Sequence, residues 1–493
     1  MLCLGFSAGL PILLVFGTLG NWLNEAGMSK STITYFSWAG LGYGFKFIWA
    51  PLIDQARLPI LTPLLGKRRS WLLLCQLLLL LILAGMALTD PIGSPDGLLI
   101  MALLAVALGF TSASQDIVID AYRIEITPPR FLGLSSSSYI LGYRLGMIIA
   151  STFALILSEK LGSTLKHYSY PAWQTTYFVM AGFMLIGIIT TLVIAEPDKE
   201  KPALDSSGSG QLILLFFTLI IPFILLYIGW QPLLTELLGL PETTAELGPL
   251  GGFIYKTLRL ITAFFVCFLV AKLVIAAQLV KPKIAADAYW TPIAEFSQRY
   301  PLKVVLLILL LIGFYRISDM VLGVIANVFY QDIGFSKEQI GYISKFFGLT
   351  MTIFGSFLGG LLIVRFGTMK MMMLGAVFAA LTNLLFILLA NTGQVEWLLY
   401  IVICADNLAA GIANIAFVTF LSRLSNIQFT AMQYAIFSSL MALIPRLIGG
   451  YSGSIVDASD YSTFFLITTL MGLPVILLVW LVDKRLTLSE DNG

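Results

Sequence analysis

Long apolar runs, each close to the roughly 20 residues a helix needs to cross a bilayer, alternate along this chain with short polar or Gly/Pro-containing turns. They predict spans near 2–24, 31–54, 70–89, 97–121, 132–158 and 172–195. Two more follow near 211–230 and 252–280, then six near 304–329, 338–364, 369–390, 396–421, 430–456 and 461–482, fourteen transmembrane helices in all. The runs lack the roughly ten-residue alternation of outer-membrane strands, so helices rather than a barrel are expected. A polar linker, Glu196-Pro-Asp-Lys-Glu-Lys-Pro-Ala-Leu-Asp-Ser-Ser-Gly-Ser-Gly210, and a polar stretch from Lys281 to Lys303 set off the middle pair. The pattern predicts an all-α polytopic membrane protein. Its parts are an N-terminal six-helix bundle (1–195), a linker with two additional transmembrane helices (196–303) and a C-terminal six-helix bundle (304–493).

The halves look duplicated. Glu25-Ala-Gly-Met-Ser-Lys-Ser-Thr-Ile-Thr-Tyr-Phe-Ser37 recurs as Asp332-Ile-Gly-Phe-Ser-Lys-Glu-Gln-Ile-Gly-Tyr-Ile-Ser344, and the spacing of Ser136 to Arg144 recurs from Ser438 to Arg446. Repeats in the same order imply two halves in the same orientation, and two inserted helices preserve it.

Composition agrees. With 58% hydrophobic and 11% charged residues and a mean hydropathy of +0.92, the chain lies outside the range of soluble domains. A net charge of +2 gives no reason to expect a nucleic-acid partner. Basic residues concentrate in alternate loops, among them Lys67, Arg68, Arg69, Lys281, Lys283 and Lys484, whereas the loop Gln231–Leu250 carries Glu236, Glu242 and Glu246 with no lysine or arginine. By the positive-inside rule both termini should be cytoplasmic. Cys3, Cys75, Cys267 and Cys404 fall in predicted spans without CxxC spacing, so neither a disulfide frame nor a metal site is expected. The lone histidine, His167, lies in a predicted loop, so an intramembrane proton carrier should be a carboxylate.

Charge inside the apolar runs carries the chemistry. A charged side chain deep in a membrane helix costs roughly 2.5–3.5 kcal/mol even on lenient scales, so such groups face a bundle interior or a wet cavity. At about 100° per residue, Asp116, Asp120 and Arg123 share one face of their helix and Glu125 points the other way. Lys46, Arg144, Arg316, Asp319, Lys345, Asp406 and Arg446 are further intramembrane charges. A polar pathway, and hence transport, is the reading. The cations Lys46, Arg144, Arg316, Lys345 and Arg446 outnumber the deep acids and suit a carboxylate-rich cargo, with internal ion pairs such as Arg316 with Asp319 as the alternative. Asp116, Asp120, Asp319 and Asp406 are the proton-carrier candidates. Trp38 and Tyr43 can stack on sugar faces or simply pack against apolar neighbours. A membrane enzyme would need a metal-binding acid pair, a catalytic histidine or an extended soluble loop, and the sequence offers none.

Two sets of motifs resemble known families. Ala50-Pro-Leu-Ile-Asp54 followed by Gly66-Lys-Arg-Arg-Ser70 resembles the loop motif of the major facilitator superfamily. There Asp54, Lys67, Arg68 and Arg69 would form a cytoplasmic conformational latch, although the basic cluster also suits a positive-inside anchor. The second half has only Gly359-Gly-Leu-Leu-Ile-Val-Arg365-Phe-Gly367, without the acid. Gly5-Phe-Ser-Ala-Gly-Leu-Pro11, Phe45-Lys-Phe-Ile-Trp-Ala-Pro-Leu-Ile-Asp54, Ala113-Ser-Gln-Asp-Ile-Val-Ile-Asp-Ala121 and Leu141-Gly-Tyr-Arg-Leu-Gly-Met147 together resemble the AmpG-type muropeptide permeases within that superfamily. Gly348-Leu, Asn407-Leu and Ala431-Met-Gln433 extend the resemblance into the second half, and Asn407 and Gln433 join the substrate-binding candidates. The chain departs from the family at Arg123, Glu125 and Asp406, which stand for lysine, aspartate and glutamate and keep their charge signs.

The expected mechanism is two bundles rocking in alternating access about a central site, across which Arg144 and Arg446, at matching positions of the two halves, would face each other. The resemblance implies proton-driven import of GlcNAc-1,6-anhydro-MurNAc, with or without stem peptide, through the bacterial inner membrane for peptidoglycan recycling. No cofactor beyond the proton gradient is expected, and the partners would be the anionic glycopeptide and the lipid bilayer around a monomer. Another large anion, such as an acyl-coenzyme A, a siderophore or a drug, remains the alternative cargo.

Overall fold

A chain this apolar must satisfy its backbone polar groups internally, and helices do so within each segment. The computed structural model describes residues 1–28, 36, 41–164, 166–197, 206–238, 248–336, 339–449, 452, 455–456 and 459–486. In chain order its principal helices are α1 (Leu2–Leu13), α2 (Leu19–Glu25), α3 (Leu41–Phe45), α4 (Ala50–Gln55), α5 (Lys67–Ala87) and α6 (Gly97–Ile126). Next come α7 (Leu132–Ile148), α8 (Ala154–Lys160), α9 (Tyr170–Val193), α10 (Ser206–Leu238) and α11 (Gly248–Ala276). The second half holds α12 (Leu302–Phe314), α13 (Ile317–Asp332), α14 (Gly348–Phe366), α15 (Thr368–Thr392), α16 (Glu396–Leu424), α17 (Thr430–Gly449) and α18 (Tyr461–Asp483).

Among the described residues, ten helical segments are long and apolar enough to cross a membrane. With the helical stretches at 2–25, 41–55, 206–238 and 248–276, they are compatible with fourteen spans. Several spans that read as single runs are interrupted. One, expected near 304–329, breaks at Tyr315–Arg316 into α12 and α13. Another, expected near 31–54, is in its described part a short α3, a 3₁₀ turn at Lys46–Ile48 and α4. Wide π-type turns occupy Leu14–Thr18, Ile149–Phe153 and Ile340–Phe347. The first of these follows Pro11, which has no amide hydrogen to give to the helix ladder.

The chain divides into two compact units. One comprises residues 1–47, 60–200 and 296–493 and contains both halves of the repeat; the other comprises 48–59 and 201–295. In the second, Leu215 of α10 and Ala271 of α11 pack with Val280, just beyond α11, and the Phe223 and Phe264 rings are 5.3 Å apart. There Tyr289 donates to the Ile48 carbonyl at 2.5 Å and Gln55 to the Asp287 carbonyl at 3.1 Å.

In the first unit, α1 and α7 approach closely because glycines face each other. A Cβ on Gly142 would lie 2.9 Å from the Phe6 nitrogen, and one on Gly9 would lie 2.7 Å from the Tyr143 carbonyl carbon. Small residues four apart let helix backbones meet where lipid offers no hydrophobic drive for association. Gly142→Leu should therefore cost at least about 1–3 kcal/mol by overpacking. Thermal unfolding of the detergent-solubilised variant checks this, and an unchanged midpoint would contradict the packing.

At one end of this half, Trp22 stacks on Trp173 at 5.6 Å, and both are fully buried. The Trp22 indole donates to Tyr168, which donates to Asp90, and Glu25 accepts from Trp173 and Ser163. At the opposite, basic end, the carboxylate of Glu196 accepts the backbone amides of Arg68 and Arg69 at 2.7 and 3.0 Å. That caps the otherwise unpaired N–H groups at the start of α5.

Candidate functional site

Two groups of charged side chains lie inside the first unit at different depths. The group nearer the basic end is built on α6, where the helical period brings Asp116, Asp120 and Arg123 to one face. Asp120 is 3.8 Å from Lys46 and 3.2 Å from Arg123. Arg123 is fully buried, donates to Ser136 of α7 and reaches Ser422 of α16 at 3.0 Å. Its guanidinium lies over the rings of Tyr139 and Tyr434, 5.9 and 5.5 Å from their centroids. One arginine thus joins α6 and α7 of the first half to α16 and α17 of the second. Asp116, next to Lys46 and Tyr139, keeps one buried carboxylate oxygen without a hydrogen-bond partner among the described residues. The Tyr43 hydroxyl donates to Ser112 at 2.6 Å, one turn before Asp116.

Closer to mid-depth, the break between α12 and α13 places Arg316 at a helix start and Asp319 in the first turn, where the helix dipole favours an acid. Their side chains are 3.2 Å apart and 28% and 26% exposed, whereas the Lys46–Asp120 and Arg68–Glu125 pairs stay below a tenth. Arg144 of α7 lies within electrostatic range of both Arg316 and Asp319, so each half contributes a guanidinium to this group. Asp406 of α16 is a close electrostatic neighbour of Asp319 and accepts a long hydrogen bond, 3.5 Å, from Thr382. Tyr330 stands beside Asp406.

The remaining candidates spread out. Asn407 accepts from Thr352 at 2.9 Å and donates to the Ile403 carbonyl, holding α14 to α16. Lys345 lies exposed on the π-type turn Ile340–Phe347. Gln433 is buried at the basic end, where its amide oxygen accepts the Asn426 N–H at 2.7 Å. Trp38 and the side chain of Arg446 lie outside the described residues, as does much of the repeated segment 25–37.

Within the basic cluster, Arg68 forks onto Glu125 at 2.9 and 2.7 Å and also donates to Thr430 of α17 at 3.3 Å. Thr430 in turn donates to Glu125. Arg69 instead donates to the Thr191 and Leu192 carbonyls at the end of α9. Lys67 is half-buried at the start of α5, and Asp54 is buried within the other unit. Further ties between the halves at this end are Ser137 to the Ser356 carbonyl at 2.8 Å and Arg423 to the Pro129 carbonyl at 3.4 Å.

Tyr139, Ser422, Thr430, Tyr434 and Glu196 join these sites without having been singled out as site residues in the sequence, and Ser136 had marked only the repeat. Tyr139 could have been found, since it lies between Ser136 and Arg144 on the same helix. Ser422, Thr430 and Tyr434 carry no comparable local signal.

Duplicated helical halves with charge buried between them define a multi-pass membrane transporter. The Major Facilitator Superfamily profile matches residues 1–315 and 308–493, and the chain belongs to that family of secondary transporters. It is 28% identical over 493 residues to the anhydromuropeptide permease of Escherichia coli K12, covering 100% of this chain and 81% of the relative. It is 27% identical over 482 residues to AmpG 4 of Rickettsia felis, covering 98% and 95%. Among solved structures, the Major Facilitator Superfamily transporter FucP in the outward conformation superimposes with a TM-score of 0.60 at 11% identity, covering 98% and 97%. The proton:xylose symporter XylE bound to 6-bromo-6-deoxy-D-glucose gives 0.56 at 13%, covering 97% and 93%. At such identities these two structures speak for the fold alone.

Proposed function

We propose that this chain imports anhydromuropeptides, GlcNAc-1,6-anhydro-MurNAc with or without stem peptide, from periplasm to cytoplasm across a bacterial inner membrane by proton symport. The observation that carries the reading is likeness along the whole chain to a protein named for that cargo. The chemistry of the mid-depth group supports it. Two arginines from opposite halves suit a carboxylate, because guanidinium forks match carboxylate geometry. The positive-inside rule would put the basic end and both termini in the cytoplasm. On that orientation the ties through Arg68, Arg123 and Ser137 close the cytoplasmic side, and cargo enters from the periplasm.

Uptake of a labelled anhydromuropeptide into proteoliposomes tests the proposal. Accumulation is expected with an imposed inward proton gradient and only equilibration without it. Equal levels in both cases would remove the symport, and failure of unlabelled muropeptide to compete would remove the cargo.

A further inference from the structure

Among the ion pairs described in this transporter, Arg316 with Asp319 is the most exposed. Both side chains are about a quarter exposed, and the break between α12 and α13 leaves them at mid-depth. The pair is unbalanced on both sides. Arg144 approaches from the other half and adds a second positive charge, while Asp406 adds a second negative charge next to Asp319. The neighbouring titratable groups are Tyr143 and Arg144 on α7, Tyr315 between α12 and α13, Tyr330 on α13, and Asp406 on α16. Among the described residues the neighbours of Asp406 are Asp319, Thr382 and Tyr330.

We infer that Arg316 is held alternately by Asp319 and by a carboxylate of the cargo, so that binding of the cargo obliges the Asp319–Asp406 pair to take up one proton. The inference rests on the anionic cargo proposed above. A cargo carboxylate that forks onto Arg144 and Arg316 relieves the repulsion between the two guanidiniums and draws Arg316 from Asp319. Two neighbouring carboxylates are then left with their cation withdrawn, and like charges held close together do not both stay ionised. One proton from the outer aqueous phase neutralises one of them. Cargo charge and proton charge enter together, so the site's net charge is unchanged. When both leave inside, Asp319 recovers Arg316 and the empty carrier returns in its starting charge state. Asp319 acts as the resident anion that the cargo displaces, and coupling follows from competition for one guanidinium.

Calorimetric binding to the full-length protein in detergent tests this, using the anhydromuramyl disaccharide tripeptide and its fully methyl-esterified form in buffers of different ionisation heat. The free acid should bind with uptake of about one proton, and its affinity should fall about tenfold per pH unit on the alkaline side. The ester should bind weakly or not at all and take up none. Asp319→Asn should bind the acid without proton uptake, with affinity independent of pH, and should exchange cargo in proteoliposomes without accumulating it. Asp319→Glu should restore both proton uptake and accumulation. Binding of the acid to the parent without proton uptake, or undiminished uptake by Asp319→Asn, overturns the inference while leaving the cargo assignment intact. Absence of any binding to the parent overturns the cargo assignment and this coupling with it.

Discussion

Arg123→Ala should destabilise the protein by about 3–5 kcal/mol, the range for removing one partner from a buried charge pair, and should abolish uptake. The side chain has no exposure, and what it holds comes from four helices: Asp120 on α6, Ser136 on α7, Ser422 on α16 and the Tyr434 ring on α17. Removing it leaves Asp120, among the described residues, with the longer ion pair to Lys46, and leaves a cavity between two tyrosine rings. Arg123→Lys separates charge from shape. An ammonium can still neutralise Asp120, but it lacks the planar fork that reaches two hydroxyls while lying over aromatic faces. Arg123→Lys should therefore recover most of the stability and only part of the transport rate. Thermal unfolding in detergent and uptake into proteoliposomes measure the two effects. Parent-like values for Arg123→Ala in both would show that the halves do not depend on this residue.

The depth of each charge was legible in the sequence; its partner was not. Apolar runs of membrane length located Lys46, Asp120, Arg144, Arg316 and Asp406 inside the bundle, because burial of a charge in a span follows from hydropathy alone. Helical periodicity also put Asp116, Asp120 and Arg123 on one face and Glu125 on another, and in the structure Glu125 indeed faces a different partner, Arg68. Which helix lies opposite that face depends on rotation and tilt set by packing, so neither Arg68 nor Ser422 could be matched to its partner from spacing. The break at Arg316 was hidden because Leu302–Phe314 and Ile317–Asp332 together read as one apolar run, and a two-residue turn hardly alters its mean hydropathy. Matching repeat positions singled out Arg446 as the counterpart of Arg144; its side chain lies outside the described residues, and Arg316, from the same half as Arg446, is a described electrostatic neighbour of Arg144. Glycine spacing on α1 and α7 was visible as motif, but its physical content, backbones in contact, appears only once the helices are paired.

Breaking the Arg68–Glu125–Thr430 tie should cut uptake by at least tenfold and open the basic end. Arg68 and Glu125 side chains are 3% and 4% exposed, so the attraction between them is little screened, and Thr430 brings α17 of the second half into the same contact. Arg68→Ala would take from the buried Glu125 carboxylate its forked guanidinium, which favours parting of the halves and entry of water to that carboxylate. The loss should thus appear as a shift of conformation as well as a loss of stability. A cysteine placed at Ser422, buried beside Arg123, reports the shift through its rate of labelling by a membrane-impermeant maleimide added from the side of the basic loops. Labelling should be slow in the otherwise unaltered protein and fast with Arg68→Ala. The charge swap Arg68→Glu with Glu125→Arg should slow it again, since Thr430 can pair with either group. Arg69→Ala serves as the contrast, because the Arg69 side chain donates to carbonyls of the first half, and its loss should alter stability more than labelling. If Arg68→Ala leaves Ser422→Cys as protected as before, the ion pair is an anchor for α5 and not a latch between the halves.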